Sequence, residues 1–374
     1  MNKSAVLSVG LLAGTIIGAG IFSLPYLFYR VGIIPGILYL ILFSVVYIAF
    51  YFMYSELLLK ENEPHDFFAL ARKHLSKKTS HLASFFVIGE LLFALVVYLI
   101  LAETFLDFGF GIKGTIPVLL FWACSSIFMF IRLNWLGVIE VLSTLSIIVV
   151  VIFIFFIGGL TTNNSNFSLF PSNVDWKLLL LPFGPLLFSF SGRPAVSKVV
   201  EEYRKSKEEG NPFSIKKSLV WGTIVPAVIY LFFVLSVFRL GGAISPDTFS
   251  GLTFLSPLIS ALLGILGLIA LWDSYFVIGI NIKDILTLDA RWPKWIGAGT
   301  SLFLPLVLYA FGFKDFLLVL GLVGGIFIAF EGIFVTRMWQ RAFPLHKFRK
   351  IAGTLYIVFF IAIIYEVLNI VFGL

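Results

Sequence analysis

Eleven long apolar runs joined by short polar stretches restrict the fold of this chain more than any other feature. They lie near residues 5–29, 33–59, 82–107, 115–131, 135–159, 177–199, 219–239, 257–285, 295–313, 315–338 and 350–373. Each is near the ~20 residues that a helix needs to cross a bilayer. With 60% of residues hydrophobic and 13% charged, a soluble fold would expose apolar surface on every side. The runs are continuous and do not alternate, which excludes a β-barrel. The expectation is an all-α polytopic membrane protein of about eleven spans. It forms a single transmembrane domain over 1–374, with no soluble domain. The first run is too long for a signal peptide and is read as a span.

Basic residues orient the chain. With the N-terminus inside, 22 of the 27 Lys and Arg residues fall in or beside inside segments, including Arg193, Lys198 and Arg204. Arg30, Lys113, Lys177, Arg239 and Lys314 fall outside. That asymmetry obeys the positive-inside rule and predicts a cell (inner or plasma) membrane protein with a cytoplasmic N-terminus. It also accounts for the net charge of +7 without nucleic acid, because the cations face anionic lipid. Trp135, Trp176, Trp221, Trp295 and Trp339 suit an interfacial belt. The inside loop Lys60–His81 is expected to carry an amphipathic surface helix around Phe67–Leu75. The outside loop Thr161–Asp175 holds sequons at Asn163 and Asn166, and the one cysteine, Cys124, can form no intrachain disulfide.

Two runs cannot stay wound. Gly14-Thr15-Ile16-Ile17-Gly18-Ala19-Gly20-Ile21-Phe22-Ser23-Leu24-Pro25 lies in the first, and glycine in a helix interior costs about 1 kcal/mol against alanine. An opened turn frees backbone groups at membrane depth, which is tolerated only against protein or a polar cavity. The sixth run carries Pro182, Gly184, Pro185, Gly192 and Pro194, so its helix is expected to break near Ser189–Gly192. Either break alone is also a plain packing kink. Together they open two sets of five spans, 5–159 and 177–338, the second inverted relative to the first, with 350–373 as an extra helix. Interrupted helices at matching positions of two halves point to a transporter's midplane site. Half-helix N-termini suit a carboxylate and freed carbonyls suit an ammonium or a cation, so a zwitterionic amino acid fits both.

The stretch Gly14–Pro25, together with Phe188–Val196, resembles the amino acid/polyamine/organocation superfamily. The nearest branches are the hydroxy and aromatic amino acid permeases and the eukaryotic neutral amino acid transporters. Their shared opening is "G-T-x-I-G-A-G-x-x-x-L-P", and their sixth span carries "F-x-F-S-G-x-P-A". The resemblance implies the five-plus-five inverted-repeat fold of the bacterial leucine transporter plus one helix, with cation-coupled uptake. It implies that Gly18, Ala19, Gly20 and Ile21 cradle the substrate carboxylate, and that Phe188, Ser189 and Ser191 meet the ammonium and side chain. It also implies a cation site from the carbonyls of Gly14, Ile17 and Ala270 with the side chains of Asp273 and Ser274. Sodium-coupled members usually carry hydroxyls at both side-chain positions, so Asp273 departs from the pattern. A carboxylate at membrane depth normally has a task or a partner. Asp273 is therefore a sodium ligand or a protonatable substitute for one, against the plainer reading of a pair with Lys283.

Tyr98 borders the pocket by the same resemblance, or simply packs. Glu90, Glu103, Glu140 and Glu331 are further acids within the spans, open between proton relay and helix-to-helix hydrogen bond. Gly10-x-x-x-Gly14-x-x-x-Gly18 is expected to be a close-packing stripe. Gly109–Gly114 fits G-x-G-x-x-G but lacks a βαβ unit and is a loop. His65, His74, His81 and His346 show no metal-ligand spacing.

These features favour a secondary active transporter, a cation-coupled symporter importing amino acids, with aromatic or bulky neutral ones preferred by family branch. The alternatives are an exchanger or facilitator, or a non-transporting amino acid sensor. No enzyme motif stands out. The expected partners are an amino acid and the lipid bilayer, with no nucleic acid or obligate protein. No cofactor is implied beyond Na+ or H+ as coupling ion.

Overall fold

The computed structural model describes residues 3–61, 66–129, 136–160, 168–170, 176–289 and 292–373, with the backbone alone for 136–143, 159, 160, 176, 288 and 289. Trp135, both sequons and the side chains of Trp176 and Glu140 lie outside the described residues. Every regular element among the described residues is a helix.

The first run is broken. Helix α1 (Lys3–Ile16) ends before Gly18, a 3-10 turn covers Ala19–Ser23, and α2 (Leu24–Val31) continues after a 50° bend. Gly18 is extended, at φ −140° and ψ −154°, so the α-helical hydrogen bonding stops there. Next come α3 (Ile33–Lys60), α4 (Phe67–His74), α5 (Lys77–Phe110), α6 (Thr115–Phe128) and α7 (Leu136–Leu160). The sixth run is α8 (Trp176–Leu180), α9 (Phe183–Ser189) and α10 (Arg193–Glu208). Pro182 and Pro194 sit where backbone donors are missing, and Lys177–Ser189 meets Arg193–Glu208 at 40°. The rest are α11 (Ile215–Leu240), α12 (Pro257–Asp284), α13 (Lys294–Ala310), α14 (Phe316–Gly321), α15 (Ala329–Ala342), α16 (Arg349–Ala352) and α17 (Leu355–Phe372). Among the described residues, six helices are long and apolar enough to cross a membrane alone, and up to eight if each bent pair is one span. Of the other expected spans, α6 has 14 residues, α13 has 17 and α7 has 25.

The broken run is central: α1 packs against α10 and α11, while α12 packs against α5 and α7. Two sequence expectations are corrected. The glycine stripe is not a packing seam, because α1 ends at Ile16 and the four-residue register does not reach Gly18. A Cβ at Gly10 would meet nothing within 4 Å, one at Gly18 the Tyr98 hydroxyl at 3.8 Å and the Ile16 carbonyl at 4.0 Å, and only one at Gly14 would be close to a neighbour, the Thr144 hydroxyl at 3.1 Å. The close glycine crossing lies elsewhere. A π-helical segment, Leu322–Ile328, interrupts the tenth run, and a Cβ on its Gly324 would sit 1.8 Å from the Gly184 carbonyl of α9. Trp339 is not interfacial: it is 2% exposed and donates to Glu56 at 2.8 Å, whereas Trp295 is 76% exposed. The expected amphipathic helix is α4, capped by Asp66, with Phe67 and Leu70 buried against the body of the protein.

Candidate functional site

The two breaks face one another. A Cβ added to Gly20 would lie 2.6 Å from the Cα of Ser189, so only glycine permits this approach. Tyrosines satisfy the carbonyls that the breaks release. On one face of α3, Tyr39 donates to the Leu179 carbonyl and Tyr51 to that of Phe190, both at 2.5 Å, and Tyr47 donates to Leu187. The Tyr230 hydroxyl of α11 lies 2.6 Å from the carbonyls of both Ile16 and Ser189 and shares one proton between them. Thr248 donates to the Phe22 carbonyl at 2.5 Å, and Ser23 to that of Gly20 at 2.8 Å. The N–H groups of Gly18, Ala19 and Gly20 have no acceptor among the described residues. Buried donors of this kind are normally satisfied, so they mark a place for an acceptor from outside the chain.

A cavity of about 390 Å³ opens beside them, within the range of small-molecule sites, ~300–1,000 Å³. Gly18, Ala19 and Gly20 line it, with Tyr98 of α5, Phe188 of α9 and Ser191 of the second break. Gly14, Ile17, Ala270, Asp273 and Ser274 line the same cavity. The two residue sets that the sequence separates thus share one wall. Asp273 is 5% exposed and accepts from the Ser274 N–H at 2.6 Å and hydroxyl at 3.3 Å. Lys283, ten residues along α12, donates instead to the Met129 carbonyl at 3.4 Å. Two expected substrate residues do not line the cavity. Ile21 is fully buried, and the Ser189 hydroxyl turns back to the Pro185 carbonyl at 2.7 Å. Ser189 belongs to the contact that joins the breaks, against Gly20.

The acids separate by place. Glu103 accepts from Tyr309, away from the cavity lining. Glu331 pairs with Arg193, the first residue of α10, whose guanidinium lies 4.9 Å from the Phe67 ring and 5.9 Å from that of Tyr54. Arg193 is therefore a buried ion-pair partner and not an inside anchor. Its charge would be prohibitive at that depth without Glu331. Glu90 lines the cavity, and Ser191 donates to it over a long 3.5 Å. Sequence reasoning missed Thr144, Lys198 and Asn281 in the lining. No spacing signals Thr144, because it reaches Gly14 only by the packing of α7 beside α1.

Known structures share the fold. Mhp1, a nucleobase-cation-symport-1 family transporter in a closed conformation with bromovinylhydantoin bound, aligns with TM-score 0.62 at 13% identity over 96% of this chain and 90% of its own. MhsT in complex with L-phenylalanine aligns with TM-score 0.60 at 15% identity, over 99% and 98% of the two chains. An Eremococcus coleocola manganese transporter aligns with TM-score 0.58 at 12% identity, over 97% and 85%. No curated protein sequence matches significantly. A family profile does: that of the transmembrane amino acid transporter proteins matches residues 1–240, well over half of the chain. A membrane chain with two broken helices around one cavity, carrying that profile across its first seven apolar runs, belongs to the transmembrane amino acid transporter family.

Proposed function

We propose that this chain is a cation-coupled symporter that brings amino acids into the cell by alternating access. The observation that carries the proposal is the row of unaccepted N–H groups at Gly18, Ala19 and Gly20 on the cavity wall. They offer a substrate carboxylate the positive end of a half-helix. Phe188 and Ser191, which line the same cavity, are assigned to the ammonium and side chain. Ser189 holds the breaks together in this reading. Asp273, with Ser274 and the Gly14, Ile17 and Ala270 carbonyls, is the candidate cation site. The rings of Tyr98 and Phe188 favour an aromatic or bulky neutral side chain. Phenylalanine bound in MhsT, which has this fold, is consistent with that preference. The segments 5–159 and 177–338 are the two inverted halves, and rocking one group of helices against the other opens the cavity to each side in turn. The membrane is the cell's inner or plasma membrane, with the N-terminus cytoplasmic.

A thermal-shift screen of the twenty amino acids, with and without sodium and at two pH values, tests the site, because a specific ligand raises apparent stability by mass action. One amino acid or a small group of them should stabilise the protein, and uptake of those into proteoliposomes should be concentrative. Binding without accumulation would make the chain a sensor, and accumulation only up to equilibrium a facilitator. No stabilisation by any amino acid would refute the proposal.

A further inference from the structure

Glu90 has no role in the reading above. It is 9% exposed, lines the cavity, and its Oε2 is buried with no hydrogen-bond partner among the described residues. Its Oε1 accepts a long contact from Ser191, at the break between α9 and α10, and its carboxyl is within hydrogen-bond reach of the Glu331 carboxyl. The charged and titratable groups that face it are few. Glu331 of α15 and Arg193 of α10 stand within electrostatic reach, as do the hydroxyls of Tyr47 and Tyr51 on α3. Lys198 of α10 and Asp273 of α12 line the same cavity. Helix α14 and the π segment, both packed on α5, carry no titratable side chain. Tyr309 of α13 is bonded to Glu103, nearly four turns along α5. The ionisable side chains of α4 are Arg72, Lys73 and His74 in its last turn, and Lys73 and His74 face Glu61.

Arg193 donates to Glu331, so its single positive charge is committed there. Two ionised carboxylates beside one guanidinium would leave a net negative charge in a low-dielectric interior, with Glu90 as the uncompensated member. An oxygen with no accessible surface has room for a proton and for nothing larger. A neutral carboxyl fits what is seen: Oε2 carries the hydrogen and Oε1 remains an acceptor for Ser191. That hydrogen gives the Glu90 carboxyl a donor for Glu331, where two ionised carboxylates would only repel.

We propose that Glu90 carries the coupling proton of this transporter, loaded from the cavity while it opens to one side and released while it opens to the other. Gain and loss of that proton switch the charge beside Ser191, and so bias the break that forms part of the cavity wall. The inference rests on the transport reading, and it makes the coupling ion a proton held at Glu90 rather than a cation held at Asp273.

Two measurements on the purified full-length protein test it. The first is infrared spectroscopy: the parent should show a carboxylic-acid band at neutral pH that is missing from Glu90→Gln. The second uses proteoliposomes and an equimolar mixture of the twenty radiolabelled amino acids as probe. One proton per substrate supports a roughly tenfold accumulation ratio per pH unit of gradient. Glu90→Gln, neutral at every pH, should lose accumulation driven by a pH gradient and exchange label at a rate independent of pH. Glu90→Asp keeps an acid at the position and should restore part of the gradient response. An unchanged acid band in Glu90→Gln, or gradient-driven accumulation equal to the parent's, would overturn the proposal. So would a parent whose uptake follows sodium and ignores pH. A parent that moves no amino acid under any gradient fails the transport reading and the coupling role together, and the band then reports separately whether Glu90 holds a proton.

Discussion

Replacing Gly20 by alanine sets a methyl group 2.4 Å from Ser189 Oγ, 2.6 Å from its Cα and 2.8 Å from its Cβ. The Cα cannot swing aside as a side-chain tip would, so the 3-10 turn and α9 must part by close to 1 Å. A gap of 0.5–1 Å forfeits about a quarter to a half of each dispersion contact across the seam. Overpacking of this kind costs about 1–3 kcal/mol. At about 2 °C per kcal/mol for a chain this long, the melting temperature in detergent should fall by roughly 2–6 °C. Gly18→Ala is the control. Its Cβ would lie 3.8 Å from the Tyr98 hydroxyl, an ordinary contact, so its stability should stay within about 0.5 kcal/mol of the parent. Gly18→Val adds bulk to the cavity wall without touching α9, and should weaken amino acid binding more than about tenfold, or 1.4 kcal/mol. The assay is thermal unfolding of the three purified variants with and without the stabilising amino acid. A Gly20→Ala protein as stable as the parent would refute the packing argument, and a Gly18→Val protein that binds normally would refute the cavity assignment.

Glu331→Gln leaves Arg193 buried without its counter-ion and should cost about 3–5 kcal/mol, whereas Arg193→Leu with Glu331→Leu should cost much less; a double-mutant cycle on thermal stability that shows simple additivity would contradict the pair. Tyr230→Phe removes the one proton shared by the carbonyls of Ile16 and Ser189 and should destabilise by about 1–3 kcal/mol, read as a lower melting temperature. Burial, opposed by Glu61, lowers the pKa of His74 from its usual value. Its contribution to holding α4 is therefore complete above about pH 6.5 and lost as pH falls toward the lowered folded value. Hydrogen exchange of the α4 amides, corrected for intrinsic rate, should quicken on acidification, and unchanged protection would reject this assignment.

Apolar length and the clustering of glycine and proline are local properties, so the sequence alone determined that this chain is a bundle of membrane helices and that two of them must break. Glycine weakens a helix at Gly18 and Gly20, and Pro194 denies the preceding turn a backbone donor and so starts a new helix. Local pattern failed where the answer depended on a neighbour. Gly10, Gly14 and Gly18 have the spacing of a packing seam, yet only Gly14 meets a neighbour closely, at Thr144, and the tightest crossings run through Gly20, Gly184 and Gly324, because crossing points are set by where helices meet. Arg193 looked like a charge left on the inside face, and only the approach of α15 makes it half of a buried pair. Nothing in the spacing of Tyr39, Tyr47 and Tyr51 foretells that they serve the carbonyls of a helix some 140 residues away. Tertiary structure decided which acids face the cavity and which face a partner, since an isolated carboxylate and a paired one differ only in what is brought beside them.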